Sequence, residues 1–421
     1  MKRKFIYLVP SRDRLFYIKK RGTLKANMRT PFCAVDSRLV EPNGIFFALK
    51  GNQTDGHLFL EEVSHKGAKK AYVEKDYNGP CFGLELFFVP SPLEMLHSLA
   101  KNKLHELQPL TIGITGSFAK TTTKETLADT IQMFAPCYRS YKNANSQTGI
   151  PLGILNSYQN EPFAVIEMGI ENFTDMDRLV KIVKPRIAII TRIAPAHLET
   201  LHTLENIAKE KGKIIDPVET KWVFLHHSVK PYLKFFSLEG KSVIYYGNTQ
   251  DELFDDLKDL CNKVLDILNL GPIKKIQIPV VENRLEEFHY PKGIVVMDCY
   301  NSNPTSMIQF FSATRYQGLE RRKIAIIGQM ASLGALSNFY HKKIAHELEN
   351  KMDIGFVVGK GAKILFDELK KAQKRVFYAE NIEELKPLLS QHIIPQDLVM
   401  VKGSNLNRLW ELKPWLQQTM S

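Results

Sequence analysis

The sequence has few cysteines, and they follow no pattern. The five are Cys33, Cys81, Cys137, Cys261 and Cys299, and none lies in a CxxC or Cys/His spacing typical of a zinc site. An odd number of scattered cysteines also argues against a secreted scaffold held by disulfides. We therefore expect a reducing compartment, the cytoplasm.

Long hydrophobic runs, fixed-period repeats and low-complexity tracts are absent as well. The apolar run near the basic N-terminus ends at Pro10 and Arg12, which is too short for the core of a signal peptide. The longest uncharged runs, residues 299–314 and 324–340, contain Asn, Gln, Ser and Gly. The sequence therefore predicts no membrane segment.

Acidic residues are fewer than basic ones, 45 against 57, so the formal net charge is +12. This balance suits anionic ligands such as nucleotides, phosphates, carboxylates or nucleic acid. No basic cluster with interleaved aromatic residues is present, so a nucleic-acid partner is not predicted. With 421 residues, of which 44% are hydrophobic and 24% charged, the chain should form two or three folded domains.

Alternating strand and helix patterns predict an α/β protein of three domains. From Leu110, short apolar runs such as TIGIT, FAVIEM and RIAIIT alternate with helical segments, which is typical of a parallel sheet covered on both faces. A second series from Gly293 onward predicts a doubly wound, Rossmann-like domain. Before residue 108, shorter runs separated by turn residues predict a smaller mixed α/β domain. The predicted boundaries are 1–107, 108–285 and 286–421, with a P-loop ATPase-like sheet in the middle domain.

The sharpest local motif is TIGITGSFAKTTT at residues 111–123, in which a strand ends in a glycine-containing loop followed by a lysine and hydroxyl residues. This order predicts a phosphate cradle: backbone N–H groups hold phosphate oxygens, Lys120 offsets their charge and Thr121 offers a hydroxyl to Mg²⁺. Ala119 stands where such loops place glycine, and a left-handed backbone there would cost about 1–2 kcal/mol. Taken alone, the segment is also compatible with a chance strand–turn–helix bearing a solvated lysine.

Three further candidates follow the strands around this loop. Glu167 ends the next apolar run, so its carboxylate should face the same crevice as a magnesium ligand, with an ordinary strand-end carboxylate as the equal alternative. His197 follows the third run, where a lone histidine is more often structural than a ligand. Lys211 lies on a helical stretch, where a solvated lysine is the usual interpretation.

Ordered blocks along the chain resemble the Mur ligase family. They are GSFAKTTTKE, NANSQTGIPLGIL, VIEMG, ITRIAPAHLETLHTLENIAKEKGKI, MDCYNSNPTSM, IIGQMASLG and VKGS. The block DSRLVEPNGIFFALKGNQTDGH at residues 36–57 is similar to the N-terminal UDP-sugar domain of the family, so the resemblance spans nearly the whole chain. TTTKE and YNSNP favour the branch of the family that adds D-alanyl-D-alanine.

The resemblance implies an ATP-dependent amide ligase that adds D-alanyl-D-alanine to UDP-N-acetylmuramoyl-tripeptide through an acyl phosphate, in peptidoglycan precursor synthesis. It implies ATP and two Mg²⁺ ions as cofactors and a cytoplasmic monomer. The alternatives are a sister ligase with another acceptor, a folylpolyglutamate-synthase-like ligase, and a non-catalytic nucleotide- or precursor-binding homologue with a degraded phosphate loop. The UDP-sugar block argues against the folate alternative.

The resemblance also implies roles for individual residues. The expected catalytic residues are Lys120, Glu167, His197, Lys211 and Arg284, and the expected metal ligands are Thr121, Glu167, His197 and Lys211 as a carbamate. The expected ATP-binding residues are Gly116, Ser117, Phe118, Ala119, Lys120, Thr121, Thr122, Asp298, Tyr300, Asn301 and Asn303. The expected substrate-binding residues are Ser37, Arg38, Thr54, Asp55, His57, Asn145, Ser146, Thr148, Lys402 and Ser404. For the carbamate, Lys209 is the alternative to Lys211, because it lies only two positions earlier.

Some residues depart from the family's pattern. Ala119 replaces the loop glycine, Gln329 and Ser332 stand where acidic residues are usual, and Asn405 replaces an arginine. These departures bear on catalytic rate and dipeptide preference more than on the fold, and they leave room for a repurposed ligase.

Overall fold

The structure is a computed structural model. It describes residues 32–51, 54–248, 253–279, 283–290, 293–313, 316 and 319–420, together with the backbone of two short strands, β1 (Leu8–Val9) and β2 (Phe16–Tyr17). These two strands pair in an antiparallel fashion. The remaining strands form three sheets, one in each third of the chain.

The N-terminal sheet has the order β3-β4-β5-β6, and all its pairs are parallel. Its elements are β3 (Cys33–Ala34), β4 (Ile45–Phe47), α1 (Leu60–His65), β5 (Lys70–Glu74) and β6 (Glu85–Val89). Helix α2 (Pro92–Leu107) follows, with Pro92 in its first turn and the Ser91 side chain accepting from the N–H of Glu94. It packs against two helices of the central domain, α4 (Gly149–Ser157) and α5 (Asp175–Val183).

The central sheet has the order β12-β11-β10-β7-β9-β8 and is parallel throughout. Its elements are β7 (Leu110–Thr115), α3 (Lys120–Gln132), β8 (Cys137–Arg139), α4 (Gly149–Ser157), β9 (Phe163–Glu167), α5 (Asp175–Val183), β10 (Ile187–Ile190), α6 (Leu198–Leu201), α7 (Leu204–Gly212), β11 (Trp222–His226), β12 (Ser242–Tyr246) and α8 (Leu253–Leu268). Every residue of β7, β9 and β10 is buried, because helices cover both faces of the sheet.

The C-terminal sheet has the order β13-β14-β18-β15-β16-β17. Its elements are β13 (Glu286–His289), β14 (Ile294–Asp298), α9 (Pro304–Phe311), β15 (Lys323–Gly328), α10 (Ser337–Leu348), β16 (Ile354–Val358), α11 (Lys363–Lys371), β17 (Val376–Ala379), α12 (Ile382–His392), β18 (Leu398–Lys402) and α13 (Lys413–Met420). All pairs are parallel except β13 with β14.

The predicted fold class is confirmed, with parallel α/β sheets in all three parts. The sequence pattern does not predict the edge strand β13, because its residues EEFH include only one apolar side chain. The boundaries near residues 107 and 285 stay predictions. No helix among the described residues is long and apolar enough to cross a membrane.

Parallel strands end at the same edge of a sheet, and this edge carries the candidate site. In the central domain, the carboxyl ends of β7, β9 and β10 lead into the phosphate loop, Glu167 and the segment before His197. In the C-terminal domain, β14 and β18 end at Asp298 and Lys402.

Candidate active site

A cavity of about 440 Å³ lies between the central and C-terminal parts of the chain. Its lining includes many of the predicted site residues: Ser117, Phe118, Ala119, Lys120, Thr122, Asn145, Ser146, Glu167, His197, Arg284, Asp298, Tyr300, Asn301 and Asn303. The predicted residues outside this lining are Gly116, Thr121, Lys211, Thr148, Lys402, Ser404, Ser37, Arg38, Thr54, Asp55 and His57.

The phosphate loop connects β7 to α3 and is held tightly by the chain that follows β10. The Ser117 N–H donates to the Arg192 carbonyl at 2.7 Å, and the Thr191 hydroxyl donates to the Phe118 carbonyl at 2.6 Å. Gly116 has φ +148°, and a Cβ there would lie 1.9 Å from Thr191 Oγ1. Only glycine fits this position, because both the backbone angle and the space exclude a side chain.

Ala119 adopts the left-handed conformation that the glycine of such loops would adopt, with φ +58° and ψ +11°. The residue immediately precedes α3 and lines the cavity together with Lys120 and Thr122, so the N-terminal end of the helix lies at the cavity. The predicted strain of about 1–2 kcal/mol therefore applies at this residue.

Thr121 and Glu167 meet beside the loop. Thr121 Oγ1 donates to Glu167 Oε2 at 2.7 Å, and Asn145 Nδ2 donates to Glu167 Oε1 at 2.7 Å. Asn145, predicted as a substrate residue, thus orients the carboxylate. Among the described residues there is no group of three or more His, Cys, Asp or Glu side chains that could hold a metal ion. The carboxylate of Glu167 and the hydroxyl of Thr121 are the oxygen atoms that these two residues could offer to a cation.

Two lysines, Lys120 and Lys211, lie near Glu167, and His197 lies near both lysines. Lys211 is buried, whereas Lys120 and His197 are half-buried. Burial lowers the pKa of Lys120, and Glu167 partly opposes that shift. Burial also lowers the pKa of Lys211 well below its usual value, and the positive charge of Lys120 lowers it further. Burial and the charges of Lys211 and Lys120 hold the pKa of His197 at about 3. The cluster therefore favours neutral side chains or a bound anion.

The structure separates Lys211 from its neighbour Lys209. Lys211 is 1% exposed and lies near the end of α7, close to Lys120 and Glu167. Lys209 is exposed, and its Nζ lies 5.3 Å from the centre of the Phe235 ring. Of the two lysines, only Lys211 combines burial with proximity to Lys120 and Glu167.

The C-terminal domain contacts the phosphate loop directly. Asn303 Nδ2 donates to the Ser117 carbonyl at 3.1 Å, while Asn303 Oδ1 accepts the N–H of Ser306 and caps α9. Both ends of this amide are therefore engaged by protein groups. The Tyr300 hydroxyl is hydrogen-bonded to Asn143, and the Arg284 guanidinium lies 4.1 Å from the centre of the Tyr300 ring.

Lys402, predicted to bind substrate, is fully buried and forms an ion pair with Asp298. Its Nζ also donates to the Asn301 carbonyl at 3.2 Å. Lys402 thus orients the two predicted nucleotide-side residues of this loop. Ser404 is 1% exposed, and within the described part of the chain its hydroxyl has no hydrogen-bond partner.

The N-terminal candidates lie apart from the cavity. Arg38 is exposed and pairs with Asp36, while the Ser37 hydroxyl donates to Glu62 Oε2 at 3.0 Å. His57 is buried, its Nδ1 lies 2.6 Å from Asp55 Oδ1, and its Nε2 accepts the N–H of Glu74 at 3.1 Å. Of the other two predicted residues, Thr54 is exposed and Asp55 is half-buried.

Two polar residues follow Asn145 in the loop before α4. Ser146 lines the cavity, and its hydroxyl lies 3.2 Å from that of Thr148. The N–H of Gly149 donates to Ser146 Oγ at 3.1 Å. The Ser146 hydroxyl therefore helps to form the start of α4.

Comparison with known proteins fixes the family. Residues 114–268 match the Mur ligase middle domain, and residues 283–405 match the Mur ligase, glutamate ligase domain. The chain belongs to the Mur ligase family. The two matched segments contain the central and C-terminal parts of the cavity described above.

Curated relatives align over most of the chain. The UDP-N-acetylmuramoyl-tripeptide–D-alanyl-D-alanine ligase of Borreliella burgdorferi is 26% identical, with 96% of this chain and 97% of the relative covered. The Bacillus subtilis ligase of the same name is 27% identical, with 90% and 91% covered. The fold is similar to the crystal structure of MurF ligase from Thermotoga maritima in complex with ADP, with a TM-score of 0.77, 23% identity, and 93% and 98% of the two chains covered.

The departures from the Mur ligase pattern occupy ordered positions. Gln329 accepts the N–H of Gly361 at 3.0 Å through Oε1. Ser332 has a left-handed backbone with φ +57°, and its carbonyl accepts the N–H of Glu199 at 3.3 Å. Asn405 begins a single 3₁₀ turn after β18. These residues thus have structural roles in this chain.

Sequence reasoning gave no role to Lys124, although it belongs to the quoted TTTKE motif. Its side chain is fully buried, and its Nζ donates to the carbonyls of Ser140 and Lys142, at 2.7 and 2.5 Å. Lys124 thereby fixes the loop that precedes Asn145. The sequence contains one signal for this role. Lys124 is a charged residue one helical turn after Lys120, on a helix that is mostly buried.

We predict that Ala119→Gly stabilises the chain by about 1 kcal/mol. Glycine removes the cost of the left-handed conformation, and the greater freedom of glycine in the unfolded chain offsets part of this gain. Urea unfolding of the two proteins measures the difference in unfolding free energy. An equal or lower stability of the variant would show that Ala119 is not strained.

We predict that His197→Asn makes the chain less sensitive to acid. The pKa of His197 is about 3 in the folded chain, whereas histidine titrates near 6.5 when unfolded. The unfolded chain therefore binds more protons between these values, and stability falls as the pH drops below 6.5. Asparagine tolerates the left-handed backbone of this position, where φ is +56°.

Between pH 6.5 and 5, the variant should lose about 1–2 kcal/mol less unfolding free energy than the unaltered chain. Urea unfolding at both pH values measures this difference. The buried His341, whose pKa is also lowered, is present in both proteins and cancels in the comparison. Identical losses in the two proteins would contradict the prediction.

Proposed function

We propose that this chain is an ATP-dependent ligase that joins D-alanyl-D-alanine to UDP-N-acetylmuramoyl-tripeptide in peptidoglycan precursor synthesis. The observation that carries the proposal is the cluster of Lys120, Glu167, His197 and Lys211 beside the phosphate loop. The Borreliella burgdorferi ligase, which is named for this reaction, aligns with 96% of the chain.

ATP is the proposed nucleotide. The N–H groups at the start of α3, the amine of Lys120 and the buried hydroxyl of Ser117 all favour phosphate oxygens. Among the described residues, Ser117 Oγ and Thr115 Oγ1 are buried without hydrogen-bond partners. A bound phosphate would also favour the protonated form of Lys120, whose pKa is lowered by burial and by the charge of Arg284.

Mg²⁺ fits the donor set of this site. The cation prefers oxygen ligands and is usually held by one or two carboxylates together with phosphate oxygens and water. Glu167 and Thr121 supply one carboxylate and one hydroxyl, already 2.7 Å apart. When bound, Mg²⁺ would neutralise charge on the phosphates during transfer.

Lys211 as a carbamate would complete the cation site. Carbamate formation needs a neutral amine, and burial together with Lys120 favours that form in Lys211. The amine nitrogen then bonds to the carbon of CO₂, one proton leaves, and the neutral side chain becomes an oxygen anion. This negative charge would offset the positive charge of Lys120 beside Glu167, and His197 would lie nearby in its neutral form.

The reaction proceeds in two chemical steps. The terminal carboxylate of the tripeptide attacks the γ-phosphorus of ATP, which gives an acyl phosphate and ADP, and Lys120 stabilises the charge on the transferred group. The amine of D-alanyl-D-alanine then attacks the acyl carbon, phosphate leaves and the amine proton is lost. Contacts from Asn303 to Ser117 and from Tyr300 to Asn143 close the cleft and help to exclude water.

The remaining predictions about the cell are part of the same proposal. All five cysteines are free, and four of them are buried, which suits a reducing compartment such as the cytoplasm. We also propose that the chain acts as a monomer, as the resemblance to the Mur ligase family implies.

The first experiment incubates the chain with ATP, Mg²⁺, D-alanyl-D-alanine and UDP-N-acetylmuramoyl-tripeptide carrying either L-lysine or meso-diaminopimelate at its third position. Phosphate release and product mass are followed together. We expect the pentapeptide mass with stoichiometric phosphate, and a kcat about 10²–10³ lower in Lys120→Met. ATP binding without product would favour the non-catalytic homologue, and product with a different amine would favour a sister ligase.

The second experiment tests the carbamate with Lys211→Met and its matched control Lys209→Met. We expect Lys211→Met to lose activity by about 10²–10³, because a methionine cannot take up CO₂, whereas Lys209 is exposed and its variant should remain active. With ¹³CO₂, the unaltered chain and Lys209→Met should show a carbamate carbon signal that Lys211→Met lacks. A signal retained in Lys211→Met would place the modification elsewhere.

A further inference from the structure

The two residues that follow β10, Thr191 and Arg192, support the phosphate loop from one side. The Thr191 N–H donates to the Thr115 carbonyl at 2.9 Å, and the Thr191 hydroxyl donates to the Phe118 carbonyl at 2.6 Å. The Arg192 carbonyl accepts the N–H of Ser117 at 2.7 Å. The position of these two residues therefore determines the position of the loop backbone.

The side chain of Arg192 is buried, and its ion-pair partner, Asp256, lies far from the phosphate loop in the sequence. Its Nη2 lies 2.8 Å from Asp256 Oδ2, and the two side chains are 8% and 5% exposed. Asp256, in the first turn of α8, also lies 3.0 Å from His226 Nε2 and accepts the N–H of Asn248 at 3.0 Å. One carboxylate thus joins α8 and the ends of β11 and β12 to the support of the phosphate loop.

The loop needs this support because its backbone is strained. Ala119 has a left-handed conformation, and Gly116 lies in contact with Thr191 with no room for a side chain. Strained backbone persists only where the surrounding structure holds it in place. Removing the anchor of Arg192 should let the loop relax toward a less strained conformation that no longer directs its N–H groups toward the cavity.

We propose that Asp256 is a positioning residue for nucleotide binding, which acts through Arg192 on the phosphate loop. This inference rests on the proposed function, in which the loop holds the phosphates of ATP. Asp256 does not line the cavity, so its effect on the nucleotide passes through the backbone contacts of residues 191–192.

The test replaces Asp256 by asparagine, which keeps the size of the side chain but removes its charge. Affinity for ATP with Mg²⁺ is measured by calorimetry, without any need for ligase turnover. We expect binding about tenfold weaker in Asp256→Asn. In turnover, KM for ATP should rise while KM for the UDP-sugar substrate stays unchanged.

A matched control and a second variant separate positioning from general stability. Asp397→Asn breaks a comparable pair, with Arg322 at 2.9 Å, before the start of β18 and away from the cavity. It should lower stability without changing the affinity for ATP. Ala119→Gly, added to Asp256→Asn, should recover about threefold in affinity, because glycine adopts the loop conformation with less support.

Three results would decide against the inference. Equal ATP affinity in Asp256→Asn and the unaltered chain would overturn it and leave the proposed function intact. Equally weakened binding in Asp397→Asn would show that lost stability explains the effect. Absence of ATP binding by the unaltered chain would overturn both the inference and the proposed function.

Discussion

The site depends on one constraint, the conformation of the four residues between β7 and α3. They must turn the chain sharply enough to direct the N–H groups of a helix start toward the cavity, and this requires φ +148° at Gly116 and φ +58° at Ala119. The turn is held from the central domain by Thr191 and Arg192 and from the C-terminal domain by Asn303. Every other site residue is placed relative to this turn.

Electrostatics explain why the site favours anions. Lys120, Lys211 and His197 lie close together near the carboxylate of Glu167, and the pKa of each falls because burial and the neighbouring cations disfavour another positive charge. A nucleotide phosphate restores the balance at Lys120, and a carbamate would restore it at Lys211. The same physical cause, too much buried positive charge, thus favours both the substrate and the modification.

The sequence was sufficient for the sheets and for the edge that carries the site. Buried parallel strands are continuous apolar runs, and residues at their carboxyl ends, such as Glu167 and Asp298, must meet at one edge. It was not sufficient for contacts between distant segments. Lys402 pairs with Asp298, and the amide of Asn303 is divided between Ser306 and Ser117, which lies 186 residues away. Spacing along a chain carries no information about such partners, so the contacts of Lys402 and Asn303 with other residues could not be predicted, and their roles in ligand binding stay predictions.

The same limit applies to Ala119. From the sequence alone, alanine in place of the loop glycine leaves a degraded phosphate loop as an alternative. The sequence indicates a backbone strain of about 1–2 kcal/mol at this position, but it does not show the contacts that offset the strain. The structure shows hydrogen bonds on both sides of the strained turn. Each hydrogen bond contributes about 1 kcal/mol net to stability, which is of the same size as the strain. A departure from a motif therefore has to be judged against the contacts that hold it. In this chain those contacts come from Thr191 of the central domain and Asn303 of the C-terminal domain, so the turn depends on both domains.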